Sequence, residues 1–431
     1  MFDQPDASRR KALKILAGAP MLPLGLASAG LLVGCGGGDD AIAAPAETPT
    51  PNATFTTAEF TGMSAPTLAA PATMATTTVG SSMKVNFSDG SSRTFKLAYQ
   101  PFFVTGDMVP DGKGGTILAG GYYDINNQPI VDTSVAGKER QFYSDSPDGT
   151  SLLKIEGAKV AGVKGSPVFA VVQFEYTTRD QSGADTYGRL PSPIAVLTLD
   201  QDPATGKLTL VKYHNVDTSP AHGLWITCGA SLSPWNTHLS SEEYEPDAFT
   251  IASNSQFKAY SKSLYGSETA ANPYLYGHLP EVTVNADGTG SIRKHYCLGR
   301  ISHELVQVMP DNRTVLMGDD ATNSGLFMFV ADKEQDLSAG TLYVAKVGSG
   351  FRSTVRGGRD LTWVKLGHAT SAEIEALAKS TAPTDIMDMA TTDPLDASYT
   401  KIFLGGKANW VRLKPGMEKA AASWKPTAMP T

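Results

Sequence analysis

From about Val85 onward, apolar and polar residues alternate in short runs broken by turn residues. "SMKVNFSDG", "GTILAGGYYDI" and "SPVFAVVQFEY" each read as a strand bounded by Gly, Asp or Ser. "AVLTLDQDPATGKLTLVKY" and "EVTVNADGTGSIRKH" read as hairpins, with a Gly-containing turn between strands of about five residues. "RTVLMGDDATNSGLFMFVADKEQDLSAGTLYVAKV" predicts further strands in series. A helical pattern is convincing only over "TSAEIEALAKST", Thr370 to Thr381, where Thr or Ser ahead of Ala-Glu-Ile-Glu supplies an N-terminal cap. Strand after strand with hardly any helix predicts an all-β fold, with meanders repeated around an axis as in a propeller. A large sandwich or two packed β domains satisfy the same pattern.

Ahead of that region the texture is different. "SRRKALK" carries Arg9 and Arg10 and is followed by an apolar run from Ile15 to Gly34, which resembles a twin-arginine export signal with Ala12 where Phe is usual. The run ends in Leu32-Val33-Gly34-Cys35, which resembles a lipobox with Cys35 as the lipid-bearing residue; an uncleaved anchor helix is the alternative. Residues 1–35 are therefore expected to be a lipoprotein signal, with the mature protein periplasmic and held to the membrane only through its lipid. Residues 36–80, rich in Gly, Ala, Pro and Thr, are expected to be a flexible tether to a β domain over 81–431.

Composition narrows the partners. A net charge of −7 over 431 residues offers nothing to nucleic acid or to an anionic membrane surface. With Cys35 acylated, Cys228 and Cys297 remain, read as two lone buried thiols rather than a disulfide. Serine-hydrolase elbows, His-Glu-x-x-His helices and phosphate-cradling Gly-rich loops are absent from the sequence. The histidines show no ligand spacing; His238 and His303 lie beside candidate ligands and read as satisfied loop residues.

What stands out is acid placed at strand ends. "SPWNTHLSSEEYEPD" holds Glu242, Glu243, Glu245 and Asp247, the last two read as solvated. Glu175 closes the strand of "VVQFEY", Glu304 follows His303 before another strand, and Asp319 and Asp320 end "VLMGDD". Carboxylates aimed at one centre repel one another unless a cation neutralises them. Oxygen-rich clusters suit Ca²⁺, Mg²⁺ or ferric iron rather than a thiolate zinc site.

"CGASLSPWNTHLSSEE", "LGRISHELVQVMPD", "VLMGDDATNSGLFMFVADKEQDLSAGTLYVAK" and the helix followed by "DIMDMATTDPLD" resemble the PhoX family of bacterial alkaline phosphatases, from about Thr105 to Glu418. The resemblance implies a six-bladed β-propeller with inserted segments and export in the folded state. It also implies an iron and calcium cluster at the propeller mouth that hydrolyses small phosphate monoesters. Glu175 falls on the acid of the family's His-Glu-Tyr stretch, with Phe174 in the histidine's place. Glu242 and Glu243 fall on the pair ending Pro-Trp-Gly-Thr…Thr-Cys-Glu-Glu, Glu304 on the acid after Arg-Phe-x-His, and Asp319 or Asp320 on the acid of Gly-Asp-Asp. These residues are implied to be metal ligands, and the metals they hold would be Lewis-acid templates for the ester phosphate.

The chain departs from the family pattern in further ways. Ser241 aligns with the family's metal-bridging cysteine, and Cys228 with an upstream structural one, so a changed metal set or lost activity is expected. The resemblance also stops at "ASWKPTAMPT", Ala422 to Thr431. Codons that would encode Ser423 to Pro430 can read, in the neighbouring frame, Leu-Glu-Thr-His-Arg-Tyr-Ala, the family's continuation. The expectation is a frameshift that removes the phosphate-contacting Arg-x-Glu and the closing blades, leaving the chain as written with little activity. A non-catalytic propeller that binds a partner, and a calcium-dependent propeller lactonase or esterase, are the competing readings; metal content separates the three.

Overall fold

The structure, a computed structural model, describes residues 50–417 apart from 51, 66, 70–78, 98, 204–205, 322–323, 349–358 and 405–406. The twin arginines, Cys35 and the tail from Ala422 lie outside the described residues. The chain divides into two units, residues 1–99 with 203–206, and residues 100–202 with 207–431. In the first, β1 (Phe55–Thr61), β2 (Ser82–Phe87) and β3 (Ser92–Lys96) form an antiparallel sheet in chain order. Strand β1 lies inside the segment expected to be a tether. Its Thr and Phe residues favour extended backbone, and it pairs with β2 from Phe55↔Phe87 to Thr61↔Ser82 while staying exposed along its length.

The second unit opens with two short hairpins, β4 (Met108–Pro110) with β5 (Thr116–Leu118) and β6 (Val131–Asp132) with β7 (Arg140–Gln141). Three sheets follow. The first holds β8 (Pro147–Leu153), β9 (Ser166–Phe174), β10 (Ile194–Gln201) and β11 (Leu208–Asn215). The second holds β12 (Ser231–Leu232), β13 (Thr237–Leu239), β14 (Leu279–Val284) and β15 (Gly290–His295), with helix α1 (Ser255–Tyr265) inserted between β13 and β14. The third holds β16 (His303–Val308), β17 (Thr314–Asp319), β18 (Leu326–Lys333), β19 (Asp336–Val347) and β20 (Leu361–Thr370), and leads into α2 (Ser371–Ser380). In all three the strands pair antiparallel in chain order. A last sheet orders β21 (Met387–Ala390), β22 (Thr400–Leu404) and β23 (Lys407–Leu413) as β21-β23-β22.

Period-2 alternation explains how these sheets stack. On β9 and β10, Phe169, Val171, Ile194 and Val196 enter one core together with Val282, Val284 and Ile292 of the second sheet. Their neighbours Val168, Ala170, Val172, Ala195 and Leu197 enter another core on the opposite face, against Phe102 and Phe103. With both faces buried, each Val, Leu, Ile or Phe among them is worth about 1.5–3 kcal/mol of transfer free energy. A third core joins the second and third sheets to both helices through Trp225, Tyr260, Met317, Phe329 and Ile374. The first strands of successive sheets adjoin one another, β12 lying against β8 and against β16.

The fold is thus mostly β, with several small antiparallel sheets, none of which closes on itself among the described residues. The six-bladed ring implied by the resemblance goes beyond the sheets seen. Helix α1 was missed in the hydropathy pattern. Asn254 caps it by accepting from Phe257 N at 3.0 Å, Gly266 ends it at φ 76°, and Phe257, Tyr260, Ser261 and Leu264 form its buried face.

Candidate metal centre

Antiparallel pairing sets the start of a sheet's first strand beside the end of its second. One backbone register recurs there in all three sheets. Glu175 N donates to Ser146 O at 2.9 Å, Glu243 N to Ile226 O at 3.1 Å, and Asp320 N to Ser302 O at 2.8 Å. Two places beyond each acceptor stand Asp148, Cys228 and Glu304. The same register therefore presents Asp148 with Glu175, Cys228 with Glu243, and Glu304 with Asp320. Further bonds join the sheets at this end, Gly149 N to Cys228 O at 3.1 Å and His303 N to Glu242 O at 3.0 Å.

Cys228 is where the sheets converge. Donor atoms of Asp148, Glu175 and Cys228 all lie within 4.8 Å of one another, and so do those of Cys228, Glu243 and Glu304. Close backbone approach makes this possible. A Cβ on Gly229 would stand 1.9 Å from Glu304 O, and one on Gly149 would stand 2.6 Å from Ala230 Cβ. Burial, and then the charges of Glu243, Glu175, Glu304 and Asp148, push the Cys228 thiol far above its usual range. Glu304 is also pushed up, first by burial and with contributions from Asp320 and Asp148, while hydrogen bonds to Cys228 and Glu243 pull the other way. Its Oε2 is buried without a hydrogen-bond partner among the described residues. Unsatisfied carboxylate oxygen and an anion-crowded thiol are the complement of a cation, which would invert this titration logic.

The residues behind the thiol are neutral. Gln173 Nε2 donates to Cys228 O, and Gln173 Oε1 meets His238 Nε2 at 3.0 Å. His238 Nδ1 lies 2.9 Å from Ser151 Oγ, and burial lowers this imidazole to about 3. His303 is buried, with Nε2 3.2 Å from Gly299 O, and burial lowers it to about 4. Neither is a loop residue: His238 lies in β13 and His303 opens β16, and His303 Nδ1 is buried without a hydrogen-bond partner among the described residues.

Of the acids picked out in the sequence, the structure brings Glu175, Glu243 and Glu304 together. Glu242 faces the other way. Its oxygens accept from Trp225 N at 3.0 Å, Lys294 Nζ at 2.9 Å, Gly277 N at 2.9 Å and His278 N at 3.0 Å, which leaves it no capacity for the centre. Asp319 and Asp320 join neither group. Asp319 is buried, with Oδ1 accepting from Ser302 N and Oδ2 without a partner among the described residues. Burial, followed by the charges of Glu245 and Asp320, pushes it up to about 6. Asp320 accepts from Tyr244 Oη at 2.6 Å.

Ser241 Oγ donates to Gly229 O at 2.6 Å and fixes that carbonyl, whereas Cys228 reaches the carboxylates. Cys228 and Cys297 are both free thiols, as expected. Asp148 was overlooked because Asp-Gly reads as a turn; here it lies within β8.

These features define a β protein with carboxylate and thiol donors gathered where the first strands of successive sheets meet. Residues 194–401 match the family model for alkaline phosphatase PhoX, the family that the sequence motifs resemble. The match supports a phosphatase and spans Cys228, Glu243 and Glu304, whereas Asp148 and Glu175 precede it. No curated protein matches the chain.

Proposed function

We propose that the chain is a metal-dependent phosphomonoesterase in which Cys228 is shared between two cation positions, one completed by Asp148 and Glu175 and the other by Glu243 and Glu304. The observation that carries this reading is the placement of the Cys228 sulfur in both three-residue groups. A thiol among carboxylates favours iron beside Cys228, and carboxylate oxygen alone favours calcium. Bound there, such cations supply Lewis acidity toward phosphate oxygens. The chain's own part is to fix the donors through the repeated strand register and to hold Cys228 through Gln173 and Ser241. A phosphate ester is anionic, so carboxylates alone would repel it; metal loading is a condition for substrate binding and for turnover alike.

The meanders, their adjoining first strands and the doubly buried first sheet support reading them as successive blades of a propeller. Elemental analysis of purified protein, paired with hydrolysis of p-nitrophenyl phosphate, tests the function. Iron and calcium should be retained, and Cys228→Ala should lose iron and activity together, by at least tenfold. Full iron content in Cys228→Ala would refute the shared-thiol reading. Calcium alone in the wild type would favour the lactonase reading.

A further inference from the structure

We propose that Lys294 is a positioning residue for the candidate metal centre, acting through Glu242 on the neighbouring Glu243; this rests on the function proposed above. Lys294 is fully buried at the end of β15, and its ammonium has three acceptors. Nζ lies 2.9 Å from Glu242 Oε1, 2.9 Å from Leu275 O and 3.2 Å from Gly223 O. Each N–H of the ammonium thus has a partner, and Glu242 is its only carboxylate partner among the described residues. Glu242 accepts three backbone N–H groups in addition, from Trp225, Gly277 and His278. One ion pair therefore ties together the segments at 223–225, 242, 275–278 and 294.

The tie matters because of what stands next to it. Adjacent side chains of extended backbone point to opposite sides, so a Glu242 turned toward Lys294 turns Glu243 toward Cys228 and Glu304. The main chain here is held on both sides. Glu242 N donates to His278 O at 3.1 Å, Glu242 O accepts from His303 N at 3.0 Å, and Tyr244 N donates to Ser302 Oγ at 2.7 Å. Tyr244 then turns into the left-handed region at φ 52°. A buried pair of this kind is weak evidence for stability, since apolar replacements often fold as well. Its use here is to fix the direction of a ligand whose partners come from other sheets.

A double-mutant cycle on metal-free protein tests the idea, with Cd²⁺ as probe and its thiolate charge-transfer absorption at Cys228 as readout. Glu243→Gln should weaken Cd²⁺ binding at least tenfold in the wild type. Lys294→Met with Glu242→Gln, a neutral pair chosen because Lys294→Met alone leaves a buried charge, should weaken it by a similar factor with wild-type circular dichroism. Adding Glu243→Gln to that background should cost less than threefold more, because an unpositioned Glu243 no longer contributes. Ile374→Val, in the core under α2, should leave Cd²⁺ affinity unchanged. Fully multiplicative losses, or wild-type affinity in the neutral pair, would overturn the positioning role while leaving the metal centre intact. Absence of any thiolate band in the wild type would instead overturn the metal reading on which it rests.

Discussion

Glu281 is fully buried, and the chain surrounds it with donors. Trp235 Nε1 donates at 2.9 Å, Thr237 Oγ1 at 2.6 Å, Arg293 Nε at 2.8 Å, and His295 Nε2 lies at 2.7 Å. Burial alone would push this carboxyl up; the hydrogen bonds from His295, Thr237 and Trp235 outweigh it and hold it well below the usual range. The contrast with Glu304, whose Oε2 meets no donor among the described residues, separates a carboxylate the fold satisfies from one it leaves unsatisfied. A depressed carboxyl stabilises the fold above its unfolded value, near 4.5, and that stability is lost as pH falls. Glu281→Gln should therefore cost about 3 kcal/mol at pH 7, with the gap to wild type closing below about pH 4.5 as the wild-type carboxyl titrates. Urea denaturation across that range measures it, and a pH-independent gap would count against the assignment. At this scale the sequence was half legible. Strand-end placement and motif point to Glu175, Glu243 and Glu304, which lie around Cys228, and equally to Glu242, which turns to Lys294 because direction within a Glu-Glu pair depends on register. The nearness of Cys228 to the carboxylates was not legible for a related reason: it depends on the close backbone approach at Gly229.

Helix α2 shows how local chemistry makes an element legible. Thr370 Oγ1 accepts from Glu373 N at 3.1 Å, and Glu373 Oε2 accepts from Thr370 N at 2.8 Å, a reciprocal capping box. The helix then buries Ile374 and Ala378 in the core shared with the third sheet. Thr370→Ala should lower stability by about 1 kcal/mol, and Thr370→Asp should keep most of it. Chemical denaturation reads both, and equal stability of Thr370→Ala and wild type would show the cap to be idle. Helix α1 escaped notice although it carries Asn254 as cap, Gly266 as stop and Phe257, Tyr260 and Leu264 on one face. Its Ser and Tyr residues dilute the helical period, and its stability comes from the aromatic packing of Trp225, Phe257, Tyr260 and Tyr276, which no local window displays. The hairpin pairings were read correctly, because the Gly-containing turns fix where β10 meets β11 and β14 meets β15. Strand β1, set among Pro and Thr residues, needed its partner β2 to be recognised.

Across the second unit, hydrophobic cores join the sheets in pairs, and the candidate metal centre joins three of them at one end. Asp148 and Glu175 come from the first sheet, Cys228 and Glu243 from the segments flanking β12 and β13 of the second, and Glu304 from β16 of the third. Without a cation, folding must bury these acidic groups beside one another, and burial first, with the neighbouring charges second, raises both the thiol and Glu304. A cation bound only by the folded state reverses that sign and adds stability by mass action, about 2.7 kcal/mol when its free concentration is a hundredfold above Kd. At an unfolding entropy of about 2.1 cal/mol/K per residue over roughly 300 residues, that corresponds to about 4 °C in Tm. Removing the metal by chelation should therefore lower Tm by that order, and returning it should restore the original value. Cys228→Ala and Glu243→Gln should start from a lower Tm and respond less to chelation, since each removes a donor from the shared centre. Thr370→Ala should lose the same increment with and without metal, because its cap is remote from these donors and the two effects add. An unchanged Tm in protein shown by elemental analysis to have lost its metal would mean that the sheets are held by their cores alone, and that the cation serves chemistry without holding the fold together.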